Sequence, residues 1–241
     1  MNTSNPLTLT RVVKEYKGLE HQLRGIEELE NQLARLKEYP DIMNRSQDWY
    51  KKHYAKPMGL PLKVNYFSQM DDPTDFDGPG WRHCLSSSCA MIANFYGKIA
   101  SDTAYRQVRR KYGDTTIQSA HVSALKELGL NAQFRINGQL KDLYSEIDQG
   151  RPVAVGWLHK GHVSLPSGGG HWSVVIGYRN GMGYTDDGFY HHDPYGECNL
   201  INGGYKTTEI NSGRSIFYST KNWAPRWIPQ KTDGYMITVS Q

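Results

Sequence analysis

The sequence predicts an α+β fold, and three observations support that prediction. Helical patterns come first along the chain and strand-like runs follow, an order that distinguishes α+β proteins from doubly wound ones. Two short, nearly all-apolar runs, at 152–158 (PVAVGWL) and 171–178 (HWSVVIGY), are typical of strands in the middle of a sheet. The chain has 241 residues and only three cysteines, so it is long enough to form a core without a disulfide framework.

The first predicted element is a long helix over residues 11–38. Apolar side chains recur there every three or four positions on one face, and Glu, Lys and Arg fill the rest. The pattern approaches a heptad seam, so the helix is interpreted as an arm docked on the main domain or, alternatively, as a self-association surface. Pro57 and Pro61 mark a boundary between a helical arm with its linker (1–58) and a main domain (59–241).

The main domain combines four predicted helices with seven predicted strands. Glycines follow three of these helices at positions where a helix commonly ends, and Ser101 can cap the remaining one. The predicted helices cover 84–96, 102–112, 118–128 and 140–148. The predicted strands cover 62–69, 130–136, 152–158, 171–178, 188–194, 213–219 and 234–240. Most strands follow the helices, as expected for an antiparallel sheet in an α+β protein.

Charge and hydropathy exclude several classes of protein. The net charge of +4 and the isoelectric point near 8.8 make the chain only mildly basic. The short basic block from Arg109 to Lys111 is interpreted as a solvated helix face, so we expect no nucleic-acid partner. The first residues lack the apolar run of a signal peptide, and no segment approaches the length of a membrane span. We therefore expect synthesis in the cytoplasm.

The stretch Trp81–Gly97 (WRHCLSSSCAMIANFYG) contains two cysteines whose positions in the predicted helix differ. Cys84 lies at the start of the helix, where unpaired N–H groups and the helix dipole favour a thiolate. Cys89 lies more than one turn inside, between Ser88 and Ala90, which is typical of an inert, buried cysteine. Cys84 is therefore the candidate nucleophile.

A thiolate enzyme also needs a base and a group that orients the base, usually distant in sequence. His171 begins a strand-like run directly after three glycines, where a substrate can approach the backbone closely. Asp193 ends the next candidate strand, in HHDPYG. If these two strands are neighbours, the side chains of His171 and Asp193 lie side by side.

Metal sites are the main alternative use of such residues. Cys84 and Cys89 have no second matched pair of zinc ligands. The aspartates at 71, 72, 75 and 77 lack the regular alternation of a calcium loop. Other histidines are interpreted as solvated or substrate-facing loop residues: His159, His162, His191 and His192. We therefore expect neither a metal nor a cofactor.

Several blocks, in order, carry a resemblance to a known family: FSQ, CLSSSCAMIANFYG, RPVAVGW, GGHWSVVIGY and HDPYGE. They resemble the motifs of the bacteriocin-leader-processing (double-glycine) cysteine peptidases and their relatives in the papain-like clan, over residues 62–199. The resemblance implies a papain-like fold, in which the helix bearing the nucleophile packs on an antiparallel sheet. It also implies Cys84 as the nucleophile, His171 as the general base, Asp193 as its orienting group and Gln69 as an oxyanion-hole donor.

The sequence departs from the family pattern in three respects. Leu85 replaces a usual glycine, the interval from Gln69 to Cys84 is longer than usual, and no transporter segment follows the motifs. The last departure favours the free-standing relatives of bacteria and phages. The resemblance therefore implies a phage-type lysin that cleaves peptidoglycan peptides after its release to the cell wall. The alternatives are a processing peptidase for a small precursor, a transglutaminase-like acyl transferase, and an inactive peptide- or wall-binding module.

Overall fold

Helices precede most of the strands in the part of the chain that the structure describes. A computed structural model of the protein describes residues 61–71, 77–179, 187–231 and 233–241. Its helices are α1 (Cys84–Phe95), α2 (Asp102–Arg109), α3 (Gln118–Glu127), α4 (Leu140–Asp148) and α5 (Thr220–Trp227), with a 3-10 helix at Gly80–Arg82. Its strands are β1 (Asn131–Gly138), β2 (Val153–Trp157), β3 (His171–Arg179), β4 (Gly188–His192), β5 (Glu197–Cys198), β6 (Tyr205–Thr207), β7 (Ile216–Ser219) and β8 (Gly234–Ser240).

Six strands form one antiparallel sheet in the order β1–β8–β2–β3–β4–β7, and β5 pairs with β6 separately. Trp157 of β2 lies opposite His171 of β3 in register. Val174 of β3 lies opposite His192 of β4, so the start of β3 and the end of β4 share one edge of the molecule. The predicted α+β fold, with the cysteine-bearing helix against an antiparallel sheet, is confirmed.

Two apolar clusters cover the two faces of this sheet. On one face, α1, α2 and α3 pack against side chains of β2, β3 and β8 that include Ala154, Val174 and Ile237. On the other face, α4 and α5 pack against the alternate side chains of the same strands, which include Val155 and Val175. Burial on both faces explains why β2 and β3 read as nearly continuous apolar runs although the sheet is antiparallel.

The helix α1 lies at the centre of the first cluster and is buried continuously from Leu85 to Ala93. Small side chains, among them Ser88 and Ala90, allow neighbouring elements to approach it closely, and it packs on α2, α3 and β3. Gly97, with φ +70°, follows its C-terminus in the left-handed conformation that glycine adopts without strain. These bounds place Cys84 at the first position of the helix, as predicted.

The structure corrects three predictions about secondary structure. The segment 62–69 is not a strand, although Leu62 N–H donates to Ile176 O over 2.7 Å and Gln69 N–H donates to Pro194 O over 2.9 Å. The helix α2 ends at Arg109 rather than at residue 112. The helix α5 is missed by the sequence pattern because Pro225 lies inside it; buried Trp223 and Trp227 hold it on the sheet.

The structure also corrects the interpretation of the basic block at Arg109. That side chain is 1% exposed and forms an ion pair with Asp77 instead of facing solvent. The predicted N-terminal helix (11–38) and the boundary between 58 and 59 lie outside the described residues. Within the described residues, no helix is both long and apolar enough to cross a membrane.

Candidate active site

Cys84 lies half-buried at the N-terminus of α1, where it lines a cavity of about 570 Å³. The first N–H groups of a helix have no acceptor within the helix, so they direct partial positive charge toward this thiol. The preceding residue, His83, is buried and turned away, with its ring nitrogens 3.1 Å from Thr115 Oγ1 and 2.8 Å from Gly78 O. His83 thus anchors the start of the helix and leaves the cavity to Cys84.

The paired ends of β3 and β4 bring His171 and Asp193 together. His171 Nε2 lies 2.7 Å from Asp193 Oδ1, and the two side chains are 5% and 0% exposed. Burial lowers the pKa of His171, but the charge of Asp193, its hydrogen bond and the neighbouring Cys84 side chain together raise that pKa to about 10. The imidazole is therefore protonated at neutral pH, with Nε2 on Asp193 and Nδ1 left for the sulfur of Cys84.

Asp193 is held as a buried carboxylate by several donors. Oδ1 also accepts a hydrogen bond from Tyr195 N–H at 3.0 Å, and Oδ2 accepts one from the Tyr218 hydroxyl at 3.1 Å. A weaker bond comes from the Tyr205 hydroxyl at 3.5 Å. Burial first, and then the charge of Asp193, hold the pKa values of Tyr205 and Tyr218 well above their usual range. Both hydroxyls therefore remain protonated and donate to the carboxylate.

Aromatic rings surround His171 and keep water from its bond to Asp193. The ring of Trp157 lies at 5.3 Å and 90° to the imidazole, and Tyr205 lies at 5.6 Å. Trp157 is fixed in turn, because its indole N–H donates to Ser173 Oγ over 2.9 Å and that hydroxyl bonds to His191 Nδ1. The site is thus built to hold an ion pair in a region of low polarity, where its electrostatic effect is large.

Gln69 lines the same cavity as Cys84 and His171. Its Nε2 donates one hydrogen bond to Gly80 O over 3.0 Å, which fixes the orientation of the amide and leaves its second N–H for another acceptor. A Cβ on Gly80 would lie 2.5 Å from the backbone oxygen of Gln69, so this close approach requires glycine. The structure therefore brings together all four residues that the sequence nominates, namely Gln69, Cys84, His171 and Asp193.

The other two cysteines are buried and distinct from Cys84. Burial raises the pKa of Cys89 to about 12, and it packs in the core on α1. Burial and then the charge of Asp193 raise the pKa of Cys198 to about 12. Cys198 lies in β5.

Two histidines differ from their sequence-based interpretation. His191 and His192 are buried in β4 and are not solvated. His191 bonds to Ser173 behind the site, and His192 Nε2 lies 2.9 Å from Val64 O. By contrast, His162 is exposed and His159 lines the cavity. In the described ranges, no group of three or more His, Cys, Asp or Glu side chains is arranged to hold a metal ion.

Sequence reasoning missed the residues that support the site from behind and from the side. Tyr205 and Tyr218 contact Asp193 from β6 and β7, and Trp157 covers His171 from β2. A second cavity of about 420 Å³ lies beyond Gly169 and Gly170 and has neither cysteine nor histidine in its wall. The last third of the chain is rich in tyrosine, but this abundance does not indicate which tyrosines contact Asp193.

The motifs around these residues match a family model. The model of the Peptidase_C39 like family covers residues 61–224, which is more than half of the chain. The chain belongs to the Peptidase_C39 like family. It is a hydrolase of the cysteine peptidase type, and the predicted family relationship is confirmed.

The chain is similar to several solved structures of low sequence identity. One is a double glycine motif protease from an AMS/PCAT transporter in complex with the leader peptide (TM-score 0.42, 16% identity, covering 74% of this chain and 92% of that chain). Another is a putative C39-like peptidase from Bacillus anthracis (TM-score 0.44, 14% identity, 75% and 98%). A third is the peptidase domain of Streptococcus ComA, a bifunctional ABC transporter involved in a quorum-sensing pathway (TM-score 0.45, 17% identity, 73% and 98%). No curated protein sequence matches the chain significantly.

The raised pKa of His171 predicts a specific pH dependence of stability. A histidine whose pKa is raised on folding stabilises the fold fully below its unfolded value of about 6.5, and this stabilisation is lost as the pH rises toward 10. Over that interval, the unfolding free energy of the wild type should fall relative to that of His171→Gln by more than about 1.4 kcal/mol, the equivalent of one pKa unit. Urea denaturation at pH 6, 8 and 10 measures this difference.

Exposed His162 provides the matched control for this measurement. His162→Gln should follow the wild type in parallel at all three pH values. A pH-independent difference between the wild type and His171→Gln would show that the imidazole is not held in its charged form by Asp193.

Proposed function

We propose that the protein hydrolyses peptide amide bonds with Cys84 as the nucleophile, His171 as the acid–base group and Asp193 as the group that orients His171. The observation that supports this assignment is the position of the His171 imidazole. Its Nε2 is bonded to a fully buried carboxylate, while its other side interacts with the Cys84 side chain in an open cavity. That geometry is the one a thiolate–imidazolium pair requires.

The reaction proceeds in two halves through an acyl-enzyme. The Cys84 thiolate attacks the amide carbon, and the tetrahedral intermediate collapses when His171 donates its proton to the leaving amine. His171, now neutral, accepts a proton from water, and the resulting hydroxide equivalent releases the acyl group from the sulfur. Asp193 keeps its hydrogen bond to Nε2 throughout, so the ring presents Nδ1 at both steps.

We propose that the second N–H of the Gln69 side-chain amide donates a hydrogen bond to the oxyanion that forms in each half of the reaction. The backbone N–H of Cys84, at the start of α1, supplies the other donor. Gln69 is suited to this role because its backbone N–H is bonded to Pro194 O, one residue beyond Asp193, and its side chain is bonded to Gly80 O. Its amide is thereby oriented before substrate arrives, which is what electrostatic stabilisation requires.

The first prediction for this mechanism concerns the three thiols. Brief treatment with iodoacetamide at pH 6 should alkylate Cys84 alone and abolish turnover, because burial keeps Cys89 and Cys198 protonated. Peptide mapping by mass spectrometry identifies the labelled residue. Cys84→Ala should remove labelling and turnover with an unchanged melting temperature, His171→Ala should slow labelling, and Cys89→Ala should retain turnover. Preferential labelling of Cys89 would overturn the assignment.

A second prediction separates the oxyanion role of Gln69 from a structural one. Gln69→Ala should lower kcat about 100-fold or more with little change in melting temperature, the usual effect of losing one such donor. Iodoacetamide labelling of Cys84 should persist, because alkylation forms no tetrahedral oxyanion. Exposed Gln133→Ala is the matched control and should behave as wild type. Full activity in Gln69→Ala would remove Gln69 from the mechanism.

For the substrate, we propose the peptides of bacterial peptidoglycan, as expected for a phage-type lysin. The supporting observation is electrostatic: the wall of the cavity carries the side chain of Lys160 and contains neither Asp nor Glu among the described residues. Peptidoglycan stem peptides carry free carboxylates, and the chain as a whole is basic with a net charge of +4. Complementary charge favours the encounter of such a substrate with the site.

This substrate assignment predicts a particular product. Purified protein should release new amino groups from peptidoglycan without new reducing ends, because an amide rather than a glycosidic bond is cleaved. Amine and reducing-sugar assays on walls of several chemotypes measure both, with Cys84→Ala as the blank. If no wall is cleaved but a small precursor peptide is, the protein is a processing peptidase instead.

A further inference from the structure

A loop that carries His159 and Lys160 forms part of the wall of the active-site cavity. Lys160 pairs with Ser167 through two backbone hydrogen bonds, of 3.0 and 2.9 Å, which close the loop on itself. The backbone N–H of Gly204 donates to His159 O over 2.8 Å and ties this loop to the one that leads to Tyr205. Both loops line the same cavity as Cys84.

Arg226 fixes this wall from inside the protein. Its guanidinium is fully buried and donates to backbone oxygens of two loops: Leu158, Lys160, Gly161, Leu200 and Ile201. A guanidinium is one of the few groups that can satisfy so many carbonyls at once, because it has five N–H donors in a fixed plane. The backbone of Lys160 is therefore held in place.

Gly168 also restricts the first atoms of the Lys160 side chain. A Cβ placed on Gly168 would lie 3.3 Å from Cγ of Lys160, so the aliphatic stem runs against the glycine tract that precedes His171. The residue is exposed at its end and belongs to the cavity wall. A charged side chain whose backbone and first side-chain atoms are already held in place loses less conformational entropy on binding than one on a mobile loop.

Lys160 is also the cation of this wall whose charge is not neutralised. Arg82, which also lines the cavity, is paired with both carboxylate oxygens of Asp114, at 2.9 and 3.0 Å. No carboxylate in the described part of the chain pairs with Lys160. Burial, and then the positive charges of His171 and Lys160, lower the pKa of His159 to about 4, so His159 is neutral and adds no second charge.

We propose that Lys160 forms a carboxylate-binding subsite beside the reactive thiol, so that the peptidase selects peptides with a free carboxylate next to the amide that it cleaves. This inference rests on the proposed function, since it concerns the same cavity and the same reaction. Its chemistry is shared by the side chain of an acidic residue and by the free α-carboxylate of a γ-linked D-glutamate. The ammonium group donates to either carboxylate and compensates its charge.

The first experiment uses two alkylating probes and needs no knowledge of the natural sequence. Iodoacetate and iodoacetamide alkylate the same sulfur. The first carries a carboxylate where the second carries an amide. In the wild type, attraction between Lys160 and the carboxylate should raise the ratio of the second-order rate constant of iodoacetate at Cys84 to that of iodoacetamide. Lys160→Met should lower this ratio about fivefold, as expected for loss of one charge contact at a partly solvated site, and leave the iodoacetamide rate unchanged.

Exposed Lys141 on α4 is the matched control, because Lys141→Met removes the same net charge away from the cavity. It should leave the ratio unchanged, and Lys160→Arg should restore it. If Lys160→Met and Lys141→Met give the same ratio as the wild type, the subsite does not exist. Absence of rapid labelling at Cys84 with either reagent would instead contradict the proposed function, so the two failures are distinguishable.

Peptide substrates then identify the source of the carboxylate. Matched peptides with Glu or Gln beside the cleaved bond test an acidic side chain, and muropeptides with D-glutamate or D-isoglutamine test an α-carboxylate. In the pair that the protein cleaves, the substrate with the free carboxylate should have a kcat/KM about fivefold higher than its amide counterpart. Lys160→Met should remove that preference. Equal cleavage of acid and amide in both pairs would overturn the proposal.

Discussion

The hydrogen bond between His171 and Asp193 is the interaction on which the other features of the site depend. It joins the start of β3 to the residue after β4, and both side chains are almost completely buried. A charged pair in such a place is stable only if further donors satisfy the carboxylate. Tyr195 and Tyr218 supply those donors, and Trp157 covers the imidazole. Tyr218, Tyr205 and Trp157 thus stabilise an ion pair that lies in the core.

The constraint extends outward from Asp193 through the backbone. Its N–H donates to Gly213 O over 2.9 Å, and a Cβ on Gly213 would overlap with the oxygen of Asp193. The next residue, Pro194, accepts the hydrogen bond that holds Gln69. One short segment therefore positions both Gln69 and Asp193, which also explains how Gln69 reaches the cavity although the interval between it and Cys84 is long.

The spacing of apolar residues and the electrostatics of a helix N-terminus predict the parts of this arrangement that depend on local sequence. The bounds of α1, the distinction between Cys84 and Cys89, and the strands β2 and β3 follow from apolar patterning and from the helix end. Residues whose state depends on distant partners are not accessible in this way. Arg109 looks like part of a solvated basic block until Asp77 packs beside it, and α5 contains a proline that local rules exclude from a helix. His191 looks like a loop residue because nothing near it in sequence reveals its bond to Ser173.

The proposed chemistry and the proposed selectivity depend on different kinds of structure in this protein. Of the residues proposed to react, His171 is buried at the start of β3, and Cys84 is half-buried at the N-terminus of α1. The groups that would recognise a substrate, such as Lys160, lie on loops at the mouth, where exposed side chains can change without disturbing the core. Arg226 connects the two, because it is buried like His171 and Asp193 but fixes the loops that line the cavity. Under the proposed function, exposed side chains on these loops can therefore change the selectivity for peptides without disturbing the buried pair.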